Sequence, residues 1–154
     1  GERGGYVFAL RRAWLLYQGG RYDESAVAYG QAIALAPRAI EPKVGALLPL
    51  MALRRWAQAE QMAREVLRAD PENYLAGRRL ALALYNLGRF DASLEAYERV
   101  LVRYPGDLEL RTGVGWCELR RAHRELAANA FRAVLAVSPD DAGAAAGLAA
   151  ATGG

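Results

Sequence analysis

The chain has 154 residues with 53% hydrophobic content, enough to fill the core of an ordinary domain, so wholesale disorder is excluded. A formal charge of +3, carried by scattered arginines with no basic block, gives no footprint for nucleic acid. One cysteine, Cys117, excludes an internal disulfide framework and a cysteine-based zinc cluster. No apolar run reaches the roughly 20 residues of a membrane-spanning helix, so direct membrane insertion is not expected.

In chain order, position 1 is glycine, which predicts a fragment of a longer protein, and residues 1–5 are expected to be a tether or tag remnant outside the fold. Apolar residues then follow helical spacing over about 6–19 and 22–35, broken at Gly20 and closed by Pro37. The pattern repeats over 40–53 and 56–69 with a polar break at Arg54 and an end at Pro71. Pro49 lies inside this third helix, where it lacks the amide that would bond the Gly45 carbonyl and is expected to bend the helix. Helices at 74–87 and 90–103 follow, broken at Gly88 and closed by Pro105, then 108–121 and 124–137, broken at Ala122 and closed by Pro139. A ninth helix is expected over 142–151, capped by Asp140 and Asp141, with its alanines and Leu148 covering the last hairpin. The fold class is all-α.

Pro37, Pro71, Pro105 and Pro139 recur every 34 residues. Tyr22, Trp56 and Phe90 keep that spacing, as do Ser25, Ala59, Ser93 and Ala127. So do Ala32, Val66, Val100 and Val134, and Ile33, Leu67, Leu101 and Leu135. The small residues let the second helix of each pair approach the first, and Tyr29, Tyr97 and Phe131 supply bulk where the pair splays. Each proline ends a second helix. With these residues, and above all Gly20-Arg21-Tyr22-Asp23-Glu24-Ser25 through Pro37 and Leu87-Gly88-Arg89-Phe90-Asp91-Ala92-Ser93 through Pro105, the chain resembles the tetratricopeptide repeat family over residues 6–139. The resemblance implies a single domain over 6–154: a superhelix of four antiparallel hairpins with repeats at about 6–39, 40–73, 74–107 and 108–141, plus a terminal capping helix. Arg12 and Arg124 depart from the family's apolar and aromatic choices, both in terminal units.

Chemistry is hard to find. His123 stands alone in the bend between two helices, and Cys117 has neither a nearby base nor a nucleophile turn around it. Lys43, the only lysine, sits in no phosphate-loop pattern. Asp23, Glu24 and Asp91 read as capping residues at the positive ends of second helices. Glu60 with Arg64 and Glu95 with Arg99 have the spacing of solvent-side ion pairs. No catalytic, metal or cofactor residue is assigned.

A face remains. Gly77, Leu80, Ala81 and Leu84 mark the stripe that closes one hairpin, and a rotation of about 120° around each first helix brings up a second set. It comprises Leu10, Trp14 and Tyr17; Val44, Leu48 and Met51; Arg78, Leu82 and Tyr85; and Thr112, Trp116 and Leu119. Tyr17, Met51, Tyr85 and Leu119 are also placed to pack between repeats, whereas Trp14, Leu48, Leu82 and Trp116 lie further round. Arg11, Gln18, Arg79, Asn86 and Arg120 flank them. The resemblance implies that this side lines a concave groove that takes peptides or partner helices. A mildly basic, apolar groove suits an amphipathic or partly acidic segment. The family's lysine and asparagine clamp for a C-terminal carboxylate is not expected, because Leu10 with Trp14, and Arg78 with Leu82, occupy those positions.

The function expected is a non-catalytic scaffold holding a peptide or helix in that groove. The alternatives are a structural module of a larger bacterial envelope, secretion or assembly complex, self-associating as a homo-oligomer through groove or end faces, and an accessory domain of an enzyme. A compartment, cytoplasmic or periplasmic, is not set by the sequence.

Overall fold

The computed structural model describes residues 2–153, which form α-helices joined by short turns, with no strand among them. The helices are α1 (Glu2–Gln18), α2 (Tyr22–Leu35), α3 (Glu41–Ala52), α4 (Trp56–Ala69), α5 (Tyr74–Asn86), α6 (Phe90–Arg103), α7 (Leu108–Arg120), α8 (Arg124–Val137) and α9 (Ala142–Thr152). The chain divides into two compact units, Gly1–Ala83 and Leu84–Gly154. Helix α1 starts at Glu2, four residues earlier than the periodicity suggests. Among the described residues no helix is long and apolar enough to cross a membrane.

Every break within a hairpin is the same turn. Gly20, Arg54, Gly88 and Ala122 all adopt positive φ, between 57° and 78°. The next amide bonds back to the carbonyl five residues earlier: Arg21 to Leu16, Arg55 to Leu50, Arg89 to Leu84, and His123 to Glu118. The positive-φ residue itself donates to the carbonyl three residues earlier. This is the Schellman arrangement, which satisfies the last carbonyls of a helix and is easiest for glycine. Two of the four positions use a residue with a Cβ, and that local cost is offset by the hairpin the turn closes.

Turns between hairpins are equally regular. The second helices end as the Ala36, Asp70, Tyr104 and Ser138 amides bond to Ala32, Val66, Val100 and Val134, each just before a proline. Three of the following helices are then capped by a side chain. Asn73 accepts from the Ala76 amide at 2.9 Å, Asp107 from Leu110 at 3.1 Å and Asp141 from Ala144 at 2.8 Å. The second helices lack such a cap: no side-chain cap bond forms at Arg21, Arg55, Arg89 or His123. Asp23 and Asp91 instead reach forward, to Arg55 and to Arg121 at 2.7 Å, so their main role is to pin successive turns rather than to cap. The surface pairs Glu60 with Arg64 and Glu95 with Arg99 form as the spacing predicts, both at 2.9 Å.

In the first unit the core is built from Ala13, Leu47, Ala28, Ala32, Ala59 and Val66, all without exposed surface. Ser25 is admitted to it because its hydroxyl donates to the Ala13 carbonyl at 2.8 Å. Tyr29 is buried and lies so close to α3 that a Cβ on Gly45 would fall 2.4 Å from its ring. Pro49 is also buried, and α3 continues past it to Ala52.

The second unit repeats the device and multiplies it. Tyr97 abuts Gly113, where a Cβ would fall 2.4 Å from the ring, and Phe131 is clasped between Gly115 and Gly147, at 2.6 and 2.3 Å by the same measure. Around Phe131 gather Ala127, Ala128, Val134, Ala144 and Ala151, with Trp116 and Leu148 packed against them. Helix α9 therefore closes this core, as expected for a terminal capping helix. Its glycine-rich sequence is explained at Gly147, where only a missing side chain lets the helix reach the ring.

Candidate functional site

The side chains assigned to a binding face divide between the units, and each unit treats them differently. In the first, Trp14 is 44% and Leu82 42% exposed, while Leu48, Met51 and Arg78 are half-buried. Trp14 stands beside Tyr17 with ring centroids 5.9 Å apart, and Tyr17 leans on Tyr22 at 5.6 Å. Tyr17 thus braces Trp14 while itself packing toward the turn, and Gln18 is exposed beyond it. Arg79 is half-buried, and its Nε is enclosed with no hydrogen-bond partner among the described residues. Burial, and then the neighbouring Arg78 charge, pushes its guanidinium below the ordinary arginine range. Arg11 is exposed and lines a cavity with Phe8, Arg12 and Leu15.

In the second unit the same register positions are engaged in packing. Trp116 is half-buried and meets Phe131 edge-on at 5.3 Å. Tyr85 meets Phe90 edge-on at 5.3 Å, and the Arg120 guanidinium lies 5.8 and 5.7 Å from the two ring centroids. Arg120 Nε also donates to Tyr85 Oη at 3.1 Å, an interaction that raises the guanidinium above its ordinary value. Asn86 is exposed and Leu119 half-buried.

One charged cluster was not singled out from sequence. Glu118 is buried at the position where the other repeats carry Leu16, Leu50 and Leu84. Its two oxygens are held by Arg121 at 2.9 Å and by His123 Nδ1 at 2.7 Å, while Arg121 also binds Asp91. The signal lay in the break of the leucine column at residue 118, since a buried carboxylate requires partners. His123 is thereby given a structural task. Cys117, fully buried beside it, donates to Ser93 Oγ at 3.3 Å, and burial pushes its thiol above the usual range. A shallow cavity of about 650 Å³ lies alongside, lined by Arg89, Phe90, Arg120, Arg121 and His123 among others. No group of three or more acidic, histidine or cysteine side chains able to hold a metal ion occurs among the described residues.

Family models described as tetratricopeptide repeat match residues 9–39 and 49–107. Among solved structures, MamA (41-end) from Desulfovibrio magneticus RS-1 superposes with a TM-score of 0.90 at 16% identity, over 96% of this chain and 84% of its own. YrrB, described as a TPR protein with an unusual peptide-binding site, gives 0.80 at 23% identity over 94% and 75%. A curated relative, the CTR9 homolog of Arabidopsis thaliana, is 36% identical over 84 residues, which are 54% of this chain and only 8% of that protein. With the 34-residue register, the recurrent Schellman turns and the buried small residues all in place, the chain belongs to the tetratricopeptide repeat family.

Proposed function

We propose that the protein is a non-catalytic interaction scaffold that holds a peptide or partner helix against the first-helix face bearing Trp14, Leu48 and Leu82. The observation that carries this reading is the exposure of Trp14 and Leu82, 44% and 42%, at matching positions of the repeat. A partly open indole braced by Tyr17 is pre-organised to anchor a ligand. Arg78 beside Leu82 favours a segment with acidic residues. The peptide-binding description of YrrB supports the same use of the fold. The site is assigned to Trp14, Tyr17, Gln18, Leu48, Met51, Arg78, Arg79 and Leu82, with Tyr85, Asn86 and Arg120 as the corresponding surface of the second unit.

The test is selection of a ligand from a displayed peptide library, followed by substitution. Trp14→Ala should weaken the selected peptide by about 2 kcal/mol, roughly thirtyfold in Kd, with the melting midpoint unmoved. Binding indifferent to Trp14→Ala and Leu82→Ala together overturns the assignment.

A further inference from the structure

Helix α1 presents a second apolar face, away from Trp14 and Tyr17. Phe8 is 70% and Leu15 58% exposed, and they line a cavity of about 380 Å³ whose wall includes Arg11, Arg12 and Arg21. Elsewhere in the register this face is covered. The position of Phe8 is taken by Pro42 on α3 and Leu110 on α7, and that of Leu15 by Pro49 and Cys117, all fully buried. The covering element is the preceding second helix: α2 packs on α3 with Tyr29 against Gly45, and α6 packs on α7 with Tyr97 against Gly113. Among the described residues no helix lies across α1 in this way.

Two observations define the missing occupant. Residue 3, which matches Pro37, Pro71, Pro105 and Pro139, is Arg3, and α1 is helical through 2–5. The proline-ended turn that closes the other second helices therefore does not recur at the start of α1. The rim is cationic, with Arg11, Arg12 and Arg21 exposed around an apolar floor, Arg21 already bound to Glu24 at 2.8 Å. We infer that the outer face of α1 docks an acidic amphipathic α-helix of a partner protein, laid across it as α2 lies across α3.

The register adds a steric requirement. Arg11 stands where α3 has Gly45 and α7 has Gly113, the glycines that admit Tyr29 and Tyr97. The other arginine at this position, Arg79, follows Ala63 where the other second helices carry an aromatic. The docked helix accordingly carries a small residue opposite Arg11, with Asp or Glu within a turn of it to meet the guanidinium.

The chain supplies its own probe. A synthetic peptide of residues 22–36 with Tyr29→Ala keeps the acidic, apolar helix and provides the small residue, and the unaltered peptide serves as its control. Titrated against the full chain by fluorescence anisotropy, the alanine peptide should saturate and the tyrosine peptide should bind at least tenfold more weakly. Arg11→Gly should reverse that preference. Leu15→Asp and Phe8→Asp, at exposed positions where circular dichroism should show an unchanged melt, should each reduce binding at least tenfold, while Trp14→Ala leaves it alone. No saturation at millimolar peptide, or binding indifferent to Leu15→Asp, overturns the proposal. A doubling of the protein's mass in sedimentation that Leu15→Asp abolishes also overturns it, by making a second copy the occupant.

Discussion

Trp14 and Trp116 hold the same position of the repeat, yet the two units give them opposite work. In the second unit Phe131 is clasped between Gly115 and Gly147, and its edge is the surface against which Trp116 closes. In the first unit the position matching Gly115 is Ala13, buried in the hairpin, and Trp14 turns to Tyr17 and solvent. An indole at one register position therefore packs on the core where Phe131 offers an edge, and stays partly open where it rests on Tyr17. What decides between them is the size of the residue one position earlier.

The strongest way to break that contrast is at the clasp. Phe131→Ala should cost about 3–5 kcal/mol in urea unfolding, since it empties a ring-sized site between two helices that meet at glycines and can close up little. A cost below about 1 kcal/mol would mean that α8 and α9 are not held by this ring. The next effect separates the tryptophans directly. Trp116→Ala should lower stability by about 2 kcal/mol, whereas Trp14→Ala should stay within about 0.5 kcal/mol and act on binding alone. Equal losses at both positions would dissolve the distinction. A smaller effect concerns Cys117: enclosed and kept as thiol by its surroundings, it should react with a disulfide reagent at neutral pH only as fast as the unit opens.

Much of this was legible before any coordinates. The period, the prolines and the small residues place the helices to within a few residues because each of those features acts locally, on a turn or on one close approach. The reach of α9 onto the last hairpin followed from the same logic, as did the ion pairs Glu60 with Arg64 and Glu95 with Arg99. The helical wheel placed Trp14 and Leu82 outward, but it could not see Phe131 approach Trp116, because that contact depends on how closely Gly115 lets two helices meet. Asp23 and Asp91 read as caps by their position in the first turn, yet arginines 32 and 30 residues later claim them. The angle of Arg11 on α1 does not reveal that it shares a cavity with Phe8 and Leu15, because that depends on the side chains around it. The column Leu16, Leu50, Leu84 broken at Glu118 carried the signal for the buried cluster, because a carboxylate in a leucine position must find partners.

The smallest expected effect tests whether the two hairpin turns of the second unit are equivalent. Gly88 and Ala122 both hold left-handed backbone, at φ 78° and 65°, and make the same pair of hydrogen bonds. For alanine that conformation costs about 1–2 kcal/mol, part of which is offset because alanine also restricts the unfolded chain. Ala122→Gly should therefore raise stability by about 0.5 kcal/mol, and Gly88→Ala should lower it by about 1 kcal/mol. Both side chains face open solvent: Ala122 is exposed, and a Cβ on Gly88 meets nothing within 4 Å, so packing does not blur the comparison. The readout is the urea midpoint at constant m-value. If Ala122→Gly destabilises instead, the αL penalty at this turn is smaller than the entropy that glycine returns to the unfolded state. The last hairpin would then be closed by the Glu118, Arg121 and His123 cluster that flanks the turn, and weakening that cluster with Glu118→Leu should cost more in the glycine variant than in the native chain.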